Sequence, residues 1–120
     1  MQGIILFAHG SRDPLWRKPI EAVAQRVRAQ SAATPVYCAY LELCAPDLPT
    51  AARELVAQGA AQVRVLPLFL GTGKHAREDL PVLMDQLRHS HPGVVFDLQA
   101  AVGEDPRMLD LMASIALGTD

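Results

Sequence analysis

The chain has 120 residues, half of them hydrophobic, with 11 Lys and Arg against 13 Asp and Glu for a net charge of −2. That length and apolar content fit one packed α/β-sized domain over residues 1–120 and exclude a disordered tail. The near-neutral balance excludes a generally basic surface, so no nucleic-acid partner is expected and any anion binding must come from local clusters.

Met1 and Gln2 lead straight into Gly3-Ile4-Ile5-Leu6-Phe7 without a basic n-region, which predicts no secretory peptide. No apolar run approaches the roughly 20 residues needed to span a bilayer, so no membrane association is expected and the predicted location is cytoplasmic. Cys38 and Cys44 have neither CxxC nor zinc-ribbon spacing and read as ordinary reduced thiols.

Ile4 to Ala8 form a continuously apolar run, the pattern of a strand buried on both faces. It ends at His9-Gly10-Ser11-Arg12-Asp13-Pro14. Pro19 belongs in the first turn of the following helix, because deeper inside its ring would clash with the carbonyl four residues back. A long loop over 10–18 results, followed by Ile20, Val23, Ala24 and Val27 at helical spacing. A second strand is predicted over 36–41, with Glu42 just beyond it. Asp47-Leu48-Pro49 supplies a capping acid and a first-turn proline to a helix with Leu48, Ala51, Ala52, Leu55 and Val56 inside and Gly59 at its end.

The third strand, over 63–70, contains Pro67, a local conflict because proline donates nothing to a ladder. It runs into Gly71-Thr72-Gly73-Lys74-His75. Asp79-Leu80-Pro81 then repeats the helix-start pattern, with Leu80, Leu83, Met84 and Leu87 as the stripe. His89 and His91 near that helix's end read as dipole partners or solvated residues rather than a metal pair. A fourth strand covers 94–98, and Asp105-Pro106 opens a last helix with Leu109, Met112 and Ala116 on one face and Gly118 as its stop.

The βαβαβαβα order predicts an α/β domain: three layers around a four-stranded parallel sheet in order 2-1-3-4, a flavodoxin-like arrangement. In that order the first and third strands are neighbours, so His9 and His75 leave the same edge at the topological switch point. Neighbouring strands lie about 4.8 Å apart, so two imidazoles there can share one divalent metal ion, and Glu42 beside them can add an oxygen. One histidine at a strand end is commonly only a loop residue; the coincidence of two is what points to a site. Arg12, Arg17, Lys18, Lys74 and Arg77 gather at the same rim, either as solvated charges or as the complement of a substrate with several carboxylates. Gly71-Thr72-Gly73-Lys74 is not a Walker A loop, because Leu68 and His75 stand where glycine and a hydroxyl residue are required.

Ala8-His9-Gly10-Ser11-Arg12-Asp13-Pro14, Leu41-Glu42, and Leu66-Pro67-Leu68-Phe69-Leu70 with Gly73, His75 and Asp79-Leu80-Pro81 resemble, in order and spacing, the class II sirohydrochlorin chelatases of the short CbiX type. The resemblance implies a lyase that inserts a divalent metal, Co²⁺ foremost and Fe²⁺ or Ni²⁺ in relatives, into sirohydrochlorin or a related carboxylated tetrapyrrole of cobalamin or sirohaem biosynthesis. It implies His9 and His75 as metal-binding and catalytic histidines, with Glu42 as a further ligand or base. The metal is then substrate, and no tightly bound cofactor is expected. Ser11, Arg12, Lys74 and Arg77 fall where substrate carboxylates would be held, while Trp16 is expected to pack under the first loop. Longer relatives carry two such units in one chain and the short type works as a homodimer, so a homodimer is implied. The same ligands would also serve a non-catalytic carrier of metal or tetrapyrrole, and the Gly71 to Lys74 turn a phosphate-binding module.

Overall fold

The apolar runs pair in parallel. In the computed structural model, which describes residues 1–119, β1 (Gln2–Ala8), β2 (Val36–Tyr40), β3 (Gln62–Pro67) and β4 (Val95–Leu98) form one sheet in the order β2-β1-β3-β4. The register runs Ile4↔Val36 to Ala8↔Tyr40 on one side of β1 and Gln2↔Gln62 to Phe7↔Pro67 on the other. β4 closes the far edge from Gln62↔Val95 to Val65↔Leu98.

Alternation along the strands divides the core. Ile5, Phe7, Val63, Val65 and Phe96 face α2 (Leu48–Ala57) and α3 (Lys74–Ser90), meeting Leu48, Ala51, Ala52 and Leu55 of the first and Ala76, Leu80, Met84 and Leu87 of the second. On the opposite face Leu6 and Val36 pack on Ala24 of α1 (Lys18–Gln30), with Ile4, Val27 and Leu66 half-buried around them. The three layers are therefore α1, the sheet, and the α2–α3 pair. A last helix, α4 (Pro106–Leu117), has the Asp105 cap and the left-handed Gly118 end that its sequence predicts, yet it buries none of its residues.

Pro67 is accommodated because it is the final residue of β3. Donors alternate sides along a strand: Leu68 N–H still donates to the Phe7 carbonyl of β1, at 2.7 Å, so the position-67 nitrogen faces β4. The last bond on that side runs from Gln99 N–H to the Val65 carbonyl, at 2.9 Å, and the missing proline donor falls where that ladder stops. The strand accordingly ends three residues before the predicted Leu70.

The start of α3 also differs from expectation. The helix begins at Lys74 behind Gly73 rather than at Asp79, and Pro81 lies inside it. Proline at 81 deprives the Arg77 carbonyl of its helical donor, but Arg77 is exposed, so water can take that bond. In return Ala76 joins Leu80, Met84 and Leu87 in one buried stripe. The long first loop contains a short 3-10 turn, Pro14–Arg17, capped by the Asp13 carboxylate, which accepts from Leu15 N–H at 2.9 Å. His91 packs on Phe96 with ring centroids 5.9 Å apart, and His89 is exposed.

Candidate active site

The rim at the carboxyl ends of β1, β2 and β3 is built by main-chain contacts that extend the sheet. Beyond the strands, Leu41 N–H donates to the Ala8 carbonyl at 2.9 Å and Glu42 N–H to the His9 carbonyl at 3.0 Å. His9 and Glu42 are thus neighbours across two loops. Gly10 makes the approach possible: its φ is +102°, and a Cβ there would lie 1.8 Å from the Glu42 carbonyl oxygen. Leu43, directly after Glu42, has φ 69°, a left-handed conformation that is unusual for a branched apolar residue and marks this loop as strained.

Phe69 orients the imidazole of His9. The two rings lie 4.7 Å apart between centroids and 37° apart in tilt, and Phe69 is itself buried against Phe7. The Phe69 carbonyl accepts from Gly103 N–H at 3.0 Å, and a Cβ at Gly103 would sit 1.6 Å from the Leu70 oxygen. The 3-10 turn Val102–Glu104 after β4 therefore clamps the segment that carries Phe69.

His75 occupies the first turn of α3 instead of a loop. Its side chain is 83% exposed, and its Nε2 lies 3.7 Å from the Asp79 Oδ2 one turn on. Asp79 is the residue that sequence reasoning missed, since Asp79-Leu80-Pro81 reads as a helix start; the His75–Asp79 spacing of four gains meaning once the helix begins at Lys74. Lys74 stands 4.0 Å from Glu78, and Arg12 and Arg77 are exposed at the same rim. The Ser11 hydroxyl accepts from Asp13 N–H at 3.0 Å and so belongs to the first loop's turn. Gly73 gives α3 no side-chain cap, which leaves the helix's first N–H groups and positive dipole end open toward anions.

Among the described residues no three His, Cys, Asp or Glu side chains converge closely enough to enclose a metal ion. The rim is open, joining His9 to Glu42 through the backbone and presenting His75 from a separate element. A cavity of about 780 Å³ runs along β2 between α1 and Tyr37 and is lined by none of these three.

Two nearby titrating groups stand outside the chemistry. Burial pushes the Tyr40 phenol up to about 12, and its ring lies 6.1 Å from that of Trp16, which stays exposed in the 3-10 turn rather than packing under the first loop as expected. Burial likewise pushes the Cys38 thiol up, so it is a poor nucleophile; neither cysteine is in a disulfide.

Fold and rim together define an open parallel α/β domain with two imidazoles and a carboxylate set around the ends of its central strands. The chain belongs to the CbiX family, whose profile matches residues 3–116. It is 30% identical over 91 residues to the sirohydrochlorin cobaltochelatase of Methanocaldococcus jannaschii, a match covering 76% of this chain and 64% of that protein. A CbiX protein of Marinobacter aquaeolei VT8 has the same fold, with a TM-score of 0.84 and 33% identity over 98% of this chain and 96% of the other. The sirohydrochlorin chelatase SirB of Bacillus subtilis subspecies spizizenii, solved in complex with cobalt, gives a TM-score of 0.81 at 26% identity; this chain covers 50% of it.

Proposed function

We propose that this chain is a metal chelatase that inserts a divalent ion, Co²⁺ foremost, into sirohydrochlorin or a related carboxylated tetrapyrrole, with a cytoplasmic homodimer as the working unit. What supports this reading is a chain of the CbiX family in which His9 and Glu42 are joined through their backbones just beyond β1 and β2, and His75 stands in the first turn of α3, the helix that follows β3.

Insertion removes two N–H protons from the macrocycle and requires an ion that has shed part of its water. Neutral imidazoles bind first-row divalent metals, and imidazole is basic enough near neutral pH to accept a proton. In this mechanism His9 and His75 hold the ion and take up the protons, and Glu42 adds an oxygen ligand or a second base. Asp79 steadies His75 when it becomes charged. Ser11, Arg12, Lys74 and Arg77 hold the peripheral carboxylates, helped by the open N-terminus of α3.

Absorbance of sirohydrochlorin mixed with Co²⁺, Fe²⁺ or Ni²⁺ tests the reading. Wild type should turn over many times with at least one metal. His9→Ala and His75→Ala should each lose on the order of 100-fold or more in rate while keeping the wild-type circular dichroism spectrum. Wild-type turnover in either variant would remove that histidine from the mechanism, and a wild-type signal that stops at one equivalent would make the protein a carrier.

A further inference from the structure

We propose that the cavity between α1 and the edge strand β2 is a separate ligand site that takes a small monocarboxylate with an apolar body, its carboxylate held by Arg17. None of the rim residues His9, Glu42 or His75 lines it.

At about 780 Å³ the cavity is in the size range of small-molecule sites. Its floor is apolar: Ala24 and Val36 are buried there, with Pro35 and Pro46 beside them. Most of its polar side chains already have partners. Arg28 donates to the Val36 carbonyl at 3.0 Å, Gln58 Nε2 to the Tyr37 hydroxyl at 2.6 Å, and the Cys38 thiol to the Ile20 carbonyl at 3.8 Å. Glu21 and Gln25 are exposed to water.

Arg17 is the exception. Its place in the sequence groups it with Arg12, Lys74 and Arg77 at the rim, but it ends the 3-10 turn Pro14–Arg17 and lines this cavity instead. Its Nε is closed off from solvent with no hydrogen-bond partner, and among the described residues its guanidinium forms no ion pair. A half-buried cation so placed is best satisfied by an anion that reaches its remaining N–H groups from the cavity side. Tyr40 borders the cavity near Arg17 and keeps its proton at neutral pH, because burial pushes the phenol up to about 12. It therefore adds a donor and no competing charge.

The charge and order of the lining select the ligand. Two arginines against one glutamate leave one positive charge, so a monoanion balances the cavity and a dianion would meet Glu21. Arg28 lies about three turns, or 16 Å, further along α1 and is held to β2. An unpaired cation at one end and an apolar floor running away from it fit a carboxylate that carries a short hydrocarbon tail.

Titration of the full chain, ¹⁵N-labelled, with hexanoate tests the site by NMR. Trp16 is the one tryptophan, it precedes Arg17, and its ring lies 6.1 Å from that of Tyr40. Its indole N–H signal should shift saturably together with the amides of Ala24, Val36 and Cys38, with a dissociation constant on the order of 1 mM. Acetate, which lacks the body, and hexanamide, which lacks the charge, should each bind about 10-fold more weakly. Arg17→Met should lose the same factor with unchanged circular dichroism, and Arg17→Lys should recover most of it. Glu21→Gln, at an exposed position, should bind hexanoate about 2- to 4-fold more tightly than wild type. Signals unmoved at about 20 mM hexanoate, shifts confined to the rim around His75, or equal affinity for hexanoate and hexanamide would overturn the proposal. Wild-type affinity in Arg17→Met would overturn it too, and so would weaker binding in Glu21→Gln, which keeps the test decisive if Arg17→Met fails to fold.

Discussion

Replacing Gly10 with alanine probes how Glu42 is held beside His9. The site has φ +102°, and an added Cβ would lie 1.8 Å from the Glu42 carbonyl oxygen and 2.9 Å from its carbonyl carbon. Positive φ costs an L-residue about 1–2 kcal/mol. Relieving the overlap requires a retreat of about 1.5 Å by main chain, not by a flexible side-chain tip. That retreat breaks the Glu42 to His9 and Leu41 to Ala8 hydrogen bonds, each with a net value of about 1 kcal/mol. The total, about 3–4 kcal/mol, is a large fraction of the 5–15 kcal/mol typical of whole domains. At about 4 °C per kcal/mol for a chain of this size, the melting temperature should fall by about 12–16 °C. Thermal melts by circular dichroism measure this, with Gly71→Ala as the control, because a Cβ at Gly71 meets nothing within 4 Å. The control should melt within about 3 °C of wild type. A Gly10→Ala protein doing the same would refute the close approach and, with it, the account of why Glu42 borders the rim.

Two further predictions concern pH. The Tyr40 phenol is pushed up to about 12 by burial, so between pH 10 and 12 the unfolded chain releases a proton that the folded one keeps. The stability this provides is complete below about pH 10 and lost as pH rises toward 12. Tyr40→Phe should flatten the alkaline decline in urea melts, by about 1 kcal/mol once solvent screening of the phenol is allowed for; an unaltered slope would show that the phenol is not desolvated. Hydrogen bonds from Thr50 hold the Asp47 carboxyl below its usual value, with Thr50 N–H at 2.9 Å, so its contribution is present above about pH 4 and fades as pH falls further. Asp47→Ala should cost about 1 kcal/mol at pH 7, and the gap to wild type should close in acid melts near pH 2.

Much of this architecture is legible in the sequence because the relevant signals are local and repeated. Ile4 to Ala8 can be read as buried on both faces from composition, and the handedness of crossovers then fixes the neighbour relation of β1 and β3. The end of β3 was not legible. Pro67 looks like an intrusion in a strand running to Leu70 until the register shows that its missing donor coincides with the last bond to β4. Asp79-Leu80-Pro81 misleads for a related reason: an acid two residues before a proline resembles a cap. Ala76, four residues ahead of Leu80, was the available sign that the buried stripe starts earlier. The His9–Phe69 stacking and the Gly103 clamp join segments far apart in sequence, and no local pattern encodes them.

The correction at α3 changes what the rim can do. A histidine in a loop would lack a fixed backbone. In the first helical turn His75 has a fixed backbone, an Asp79 carboxylate one turn away, and a side chain free to move because it is exposed. His9 is the opposite case, its ring lying against buried Phe69. Under the proposed function the metal is substrate and must be captured and then given up, and three converging, immobilised ligands would oppose the second step. In the chelatase proposed above, one held imidazole, one exposed imidazole and a carboxylate fixed through its backbone would suit transfer better than storage, because the ion could exchange a protein ligand for a pyrrole nitrogen without unfolding the rim.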